Sequence, residues 1–394
     1  MTTPTPTWRD EFAAHMMKSA PIPLAMLDHG SGAVVWDVDG REYLDFLGGI
    51  AVNSLGHAHP VFVDAVSTQA AKIAHVSNYF ATAPQVELIG RLTRITGAGD
   101  AGRVYLCNSG AEAMEASIKL ARRNKQHGRI LALVGGFHGR TMGSLSLTGK
   151  PSLREAFEPL LPGVEHIDST IEALERAMDD GVSALVLEPI KGEGGVLDLP
   201  EGYLRRAREL CDRHGALLIL DEIQTGIGRS GSWFVYQQEG IVPDAVAIAK
   251  GIAGGMPLGA IVTFGAASDL LLPGQHGSTY AGNPLVTAVA NAVLTEIERA
   301  DLIGNAARRG VQLRAAIVGI GSPLVSELRG RGLLVGVGLT RPVAGAVATA
   351  ALERGLIVNA ANDSTIRLAP PLIIGDDEIE RFTRIFADAL EASA

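Results

Sequence analysis

The chain has 394 residues, is 47% hydrophobic and carries a formal net charge of −9. This length allows two to three structural units with a large core, and the acidic balance argues against a general nucleic-acid binder. Residues 1–10 lack an apolar signal region, and the longest uncharged stretch, 251–268, holds five glycines and Pro257, so neither a secretory leader nor a membrane span is read and a soluble cytoplasmic protein is expected.

In chain order, the first expected element is a hairpin, residues 34–36 and 43–46 around the turn pair Asp39–Gly40. From about residue 101 the pattern changes to short apolar runs at 103–107, 130–134, 184–187, 216–220, 245–249 and 260–264. Helix-like segments at 112–123, 171–178 and 203–213 lie between them. That alternation predicts an α/β unit with a largely parallel sheet. A long helix is expected over 283–298. Short strands at 333–339, 356–359 and 366–368, mixed with helices such as 344–354, predict a second α+β unit that packs with the hairpin. Cys107 and Cys211 match no metal spacing and read as reduced core residues. His57 and His59 have a possible ligand spacing but no supporting cluster, so a loop-packing role is expected and no metal.

The ends of the apolar runs hold the chemistry. Lys250 closes 245–249 and opens a glycine-rich loop. Ligands of open α/β sheets bind at such strand ends, and a desolvated lysine is easier to deprotonate and use as an imine-forming amine. The bland alternative is a lysine snorkelling from a strand end. Asp221 ends 216–220 and has the chemistry to hold a ring nitrogen protonated, with Gln224 three residues on. An Asp there also serves simply to cap a turn. Together, Lys250 and Asp221 are what pyridoxal phosphate chemistry needs.

Asn108–Ser109–Gly110–Ala111–Glu112 opens a helix with a capping-box pattern and small residues, either a plain cap or a phosphate cradle. Phe137 is suited to stack on a flat ring and Arg140 to fork onto a carboxylate. Arg367 lies inside an apolar segment and needs an acidic partner or ligand if buried. Glu188 ends another run, and Glu193 sits in a glycine loop that would let its carboxylate move. Ser278 and Thr279 suit a phosphate or carboxylate, or else cap the following helix. Gly226-x-Gly228-x-x-Gly231 matches a dinucleotide fingerprint in spacing but lacks the strand–turn–helix context, and reads as a glycine loop.

These segments, in order across nearly the whole chain, resemble the class III (subgroup II) aminotransferases of fold type I, in particular the branch acting on acetylornithine in arginine biosynthesis. The matching stretches are 48–60 (GGIAVNSLGHAHP), 107–122 (CNSGAEAMEASIKLAR), 137–143 (FHGRTMG), 188–195 (EPIKGEGG), 221–228 (DEIQTGIG), Lys250 with its glycines, 277–284 (GSTYAGNP) and 366–373 (IRLAPPLI). The resemblance implies a large cofactor-binding unit over 54–285 and a smaller one from 1–53 with 286–394. It implies pyridoxal phosphate held on Lys250 as a Schiff base, with Lys250 also shuttling the proton. Asp221 would pair with the ring nitrogen, Gln224 with the ring oxygen, and Ile223 and Phe137 would sandwich the ring. Ser109, Gly110 and Ala111 would hold the phosphate, and Thr279 would reach the phosphate of a neighbouring subunit, so a homodimer with shared sites is expected. Arg140 would hold the remote carboxylate of N2-acetyl-L-ornithine. Arg367 would hold the α-carboxylate of glutamate or 2-oxoglutarate, masked by Glu193 in the other half-reaction, and Ser278 would also touch substrate. The implied products are N-acetyl-L-glutamate 5-semialdehyde and L-glutamate. Alternative amino donors are succinylornithine, succinyl-diaminopimelate, ornithine and 4-aminobutyrate, with a pyridoxal-phosphate aminomutase as a further reading. Met114, Lys191 and Ala281 depart from the commonest pattern. Ile50 stands where ornithine-specific members carry a tyrosine, which favours an N-acylated donor.

Overall fold

Apolar runs separated by helical segments become strands, and seven of them share one sheet. In the computed structural model, which describes residues 7–19 and 21–394, their order is Arg103–Cys107, Gly259–Thr263, Ala245–Ile248, Leu217–Asp221, Val182–Leu187, Arg129–Leu133 and Val164–Ile167. All point the same way except Gly259–Thr263, which runs antiparallel to both neighbours. The expected largely parallel sheet is therefore present with one reversed strand. Val164–Ile167, absent from the sequence reading, is an edge strand in which exposed Glu165 interrupts the apolar run.

A parallel sheet is covered on both faces, so its strands need apolar side chains in both directions. Val182–Leu187, Leu217–Asp221 and Ala245–Ile248 are buried at every position. Their side chains alternate between two cores. Leu218, Leu220, Val246 and Ile248 enter one, while Leu217, Ile219, Ala245 and Ala247 enter the other. Helix Gly110–Asn124 closes the second core with Ala113, Met114, Ala116 and Leu120. Helices Tyr203–His214 and Pro284–Arg299 close the first. The strand direction delivers Cys107, Leu133, Leu187, Asp221 and Ile248 to one edge of the sheet.

The hairpin forms between Val34–Asp37 and Glu42–Asp45. Leu27–Ser31 extends it on one side and Leu356–Ile357 on the other, the latter in parallel. The start of the chain is thus paired with a late segment, and Phe46 stacks on Phe382 of helix Asp376–Glu391 with ring centroids 4.5 Å apart. A further sheet orders Val325–Arg329, Val335–Leu339, Thr365–Leu368 and Asn359–Asn362, placing Arg367 mid-strand. The long helix expected from 283 begins at Pro284 and is capped by Asn283, whose side chain accepts from the Val286 amide at 3.1 Å. Ser278 and Thr279 do not cap it. Cys107 and Cys211 are free and buried. Among the described residues, no helix is long and apolar enough to cross a membrane.

Candidate active site

The edge where these strands end opens into a cavity of about 420 Å³, lined among others by Ser109, Gly110, Ala111, Phe137, Arg140, Glu188, Glu193, Asp221, Ile223, Gln224 and Lys250. These residues come from five sequence segments that converge there because each lies at or beyond the end of a strand of the same sheet.

Lys250 lies two residues beyond Ile248, at the start of a short 3-10 turn, with φ of 45°. This is a conformation that non-glycine residues rarely adopt and that concentrates at functional sites. Burial pushes its ammonium pKa down to about 8. The positive charge of Arg367 acts in the same direction, against the carboxylates of Glu193, Glu188 and Asp221. A lysine so placed supplies a neutral amine at far lower pH than a surface lysine.

Asp221 is fixed by two donors. The Ile223 amide donates to Oδ1 at 3.1 Å, and His138 Nδ1 lies 2.8 Å from Oδ2. His138 is fully enclosed, and its Nε2 has no hydrogen-bond partner. Burial disfavours the imidazolium, but the hydrogen bond and charge of Asp221, with Glu188, outweigh it and raise the His138 pKa. The sequence reading passed over His138 as one letter of a Phe–His–Gly–Arg run. Its only signal is a contact with a residue 83 positions away. Glu188, which the reading noted only as a strand end, accepts from the Phe137 amide at 3.1 Å and the Gly192 amide at 3.2 Å. Burial pushes its pKa up to about 7, with Asp221 adding to the rise and His138 and Lys250 opposing it.

At the start of helix Gly110–Asn124, the Ser109 hydroxyl accepts from the Glu112 amide at 3.2 Å. The expected capping box is only half formed. Glu112 turns back to the Asn108 amide at 2.8 Å and the Asn108 side chain, not to Ser109. A hydroxyl accepting one bond keeps its own proton to donate. Ser109 and the first-turn amides therefore form an anion-ready terminus. Gly110 lets Ile223 pack closely, since a Cβ there would sit 2.8 Å from Ile223 Cδ1 and push that side chain aside. Ile223 and Phe137 both line the cavity.

Two arginines flank the site in different states. Arg140 is exposed, lies 5.6 Å over the Phe137 ring, and makes no ion pair with any described residue. Arg367 is 1% exposed, and its guanidinium donates to Glu193, to Asn359 Oδ1 at 2.8 Å and to Gln224 Oε1 at 3.4 Å. The acidic partner that its burial demands is thus Glu193, whose pKa is raised by burial but brought down overall by the charge and hydrogen bond of Arg367. Arg367 does not itself line the cavity, while Glu193 and Gln224 do. Ser278 and Thr279 also stay outside it. Ser278 accepts from Asn108 Nδ2 at 2.9 Å, and Thr279 is exposed. His57 packs as expected, 2.9 Å from Asp45 Oδ2, and His59 caps helix Pro60–Ala70.

The turn Gly48–Ala51, just before the lining residue Val52, winds left-handed. Its four φ values are 57°, 64°, 64° and 63°. Each non-glycine member costs roughly 1–2 kcal/mol, so Ile50 and Ala51 are held there by their surroundings. Nothing in the sequence alone signals a β-branched residue in that conformation.

The sequence matches the family model described as aminotransferase class-III over residues 15–390. The chain belongs to the class-III aminotransferases. Among its relatives is the acetylornithine aminotransferase of Mycolicibacterium smegmatis, 50% identical over 98% of this chain and 99% of that one. The acetylornithine aminotransferase of Bifidobacterium longum is 47% identical over 97% of this chain and 95% of its own length. Among solved structures, the N-acetylornithine aminotransferase of Stenotrophomonas maltophilia superposes with a TM-score of 0.84 at 35% identity, covering 97% of this chain and 98% of that one. The ornithine aminotransferase of Toxoplasma gondii gives 0.92 at 33% identity, covering 99% and 96%. Class-III aminotransferases work with pyridoxal phosphate, and the residues present fit that group. The cavity joins an amine of lowered pKa, a carboxylate clamped by a buried histidine and an amide-rich helix terminus at Gly110 packed against Ile223.

Proposed function

We propose that this chain transfers the δ-amino group of N2-acetyl-L-ornithine to 2-oxoglutarate, giving N-acetyl-L-glutamate 5-semialdehyde and L-glutamate, with pyridoxal phosphate as cofactor. The observation that carries the reading is the buried Arg367 closed by Glu193 just behind a cavity whose lining arginine, Arg140, pairs with no carboxylate of the described residues. Such a site suits two substrates that share one carboxylate position and differ at the other. With the acylated donor, Glu193 stays on Arg367 and neutralises it, since a buried unpaired cation is costly. With glutamate, the α-carboxylate takes the guanidinium and Glu193 swings away on its glycine loop. Arg140 forks onto the remote carboxylate in both.

Ser109, Gly110 and Ala111 would hold the cofactor phosphate, Phe137 and Ile223 the ring faces, Asp221 the ring nitrogen and Gln224 the ring oxygen. When bound, the cofactor supplies an aldehyde that condenses with amines and a ring that withdraws electrons from the carbon beside them. Lys250 Nζ carries protons during transfer, for which a pKa near working pH is well matched. His138 holds Asp221 by Oδ2 and so fixes the direction in which the carboxylate faces the cavity.

A homodimer belongs to this reading. Tyr79, Phe80 and Tyr280 are 93%, 68% and 63% exposed, and Tyr280 packs on His75 close in sequence to Thr279. Exposed aromatic groups of this kind suit burial by a second copy, which would bring Thr279 to its phosphate. The division into a unit over 54–285 and another from 1–53 with 286–394, and a cytoplasmic location, complete the reading. The test is a panel of amino donors with 2-oxoglutarate, comparing kcat/KM for N2-acetylornithine, succinylornithine, ornithine and 4-aminobutyrate. Acetylornithine among the best donors is expected; a clear preference for free ornithine or 4-aminobutyrate would overturn the assignment.

A further inference from the structure

We propose that Lys191 is a positioning residue that holds the Glu193 gate closed on Arg367 and so sets the preference between the two amino donors; this rests on the two-carboxylate reading above. Lys191 is 9% exposed, and its ammonium meets no carboxylate within ion-pair distance among the described residues. It donates instead to the carbonyl of Val134 at 3.3 Å and to the hydroxyl of Ser169 at 2.9 Å. A buried cation held only by neutral acceptors is an expensive way to fill space. Its position explains it better.

Lys191 is the last residue before the gate loop. Its short strand, Ile190–Lys191, pairs with Leu197–Asp198. The four residues between Lys191 and Val196 are Gly192, Glu193, Gly194 and Gly195. On the near side, Lys191 and Glu188 fasten this loop to the segment carrying Phe137. Lys191 bonds the Val134 carbonyl, and the Glu188 carboxylate bridges the amides of Phe137 and Gly192. On the far side, Asn362 Nδ2 donates to the Gly194 carbonyl and Arg329 Nε to the Gly195 carbonyl, each at 3.2 Å. Arg329 also donates to Thr365, two residues before Arg367. Glu193 therefore rides on a glycine bridge strung between the Phe137 segment and the sheet that carries its own partner, Arg367. Cutting the near tether frees the loop to leave the conformation in which Glu193 meets Arg367. A donor that needs the gate closed loses by this, and glutamate, which displaces Glu193, does not.

The test uses the cofactor-loaded enzyme and follows each half-reaction separately by its visible spectrum, with N2-acetylornithine or with glutamate as sole donor. Lys191→Met is expected to raise the apparent Kd for acetylornithine about fivefold, the size of one lost hydrogen bond, while the limiting rate and the Kd for glutamate hold or the latter falls. Ser169→Ala removes one partner of Lys191 and is expected to move the ratio the same way by about twofold. It also keeps the test alive if the methionine variant does not fold. Equal weakening of both donors by either variant would reduce Lys191 to a structural prop, and an unchanged ratio in both would remove its role. Glu193→Gln separates the layers. If it fails to weaken acetylornithine relative to glutamate, the gate itself is wrong and this proposal falls with it; if it does so while the Lys191 and Ser169 variants do not, only the proposal falls.

Discussion

The decisive single residues are Lys250, an amine in the cavity wall, and Arg367, a buried guanidinium behind it. Arg367→Ala removes the proposed α-carboxylate clamp but not the cavity. It is expected to lower kcat/KM for glutamate by about thirtyfold, equivalent to about 2 kcal/mol for a charged hydrogen bond, with a smaller loss for acetylornithine. Steady-state kinetics on both donors checks this. Lys250 yields a prediction about pH. Burial lowers its pKa to about 8, so the amine is charged below that value and neutral above it. Condensation of the cofactor-free protein with an added aldehyde is expected to rise with a midpoint near pH 8 and to vanish in Lys250→Ala. A midpoint near pH 10, where an unperturbed lysine titrates, would show that the desolvation is not felt.

Most of this was legible in the sequence because strand-end residues keep their neighbours: Lys250, Asp221 and Glu188 each end an apolar run, and the sheet brings such ends together. His138 was not legible. Its role depends on Asp221 across 83 residues, and no local pattern encodes that pairing. The Arg367–Glu193 pair was half legible: a buried arginine demanded a carboxylate, and a glutamate among glycines offered one, but the bonds that hold the loop at Lys191, Asn362 and Arg329 come from three separate segments.

Elements were read where one periodicity dominates. The six apolar runs became strands within a residue or two, and Gly110–Asn124, Tyr203–His214 and Pro284–Arg299 became helices. Helices Pro60–Ala70 and Ala83–Thr96 were not read. The first buries only Gln69 and the second four residues, so each carries a thin apolar stripe. The N-terminal hairpin was read, but not its pairing with Leu356–Ile357, which joins positions more than 300 residues apart. Helix Asp376–Glu391 anchors that junction through Phe382, which is fully buried and stacks on both Phe46 and Phe386. Phe382→Ala is expected to cost about 3–5 kcal/mol, measured as a fall in denaturant midpoint. A loss under 1 kcal/mol would mean that the hairpin is held by its strands alone.

For the molecule as a whole, the sheet acts as a platform with chemistry along one edge, and in the proposed homodimer Thr279 of a second copy would complete the phosphate site. A charged substitution in the exposed aromatic group, Phe80→Glu, is expected to shift the protein toward monomer in sedimentation and to weaken cofactor retention together with activity. An active monomer would remove Thr279 from the site. In the proposed reaction one cavity on Lys250 serves both an acylated δ-amine and an α-amine by opening and closing Glu193 on Arg367. Its most direct test is a cycled half-reaction. N2-acetylornithine added to the cofactor-loaded enzyme should convert the visible band completely, 2-oxoglutarate should restore it with one equivalent of glutamate formed, and Lys250→Ala should do neither. A spectrum that N2-acetylornithine leaves unchanged, or that 2-oxoglutarate fails to restore, would contradict the account.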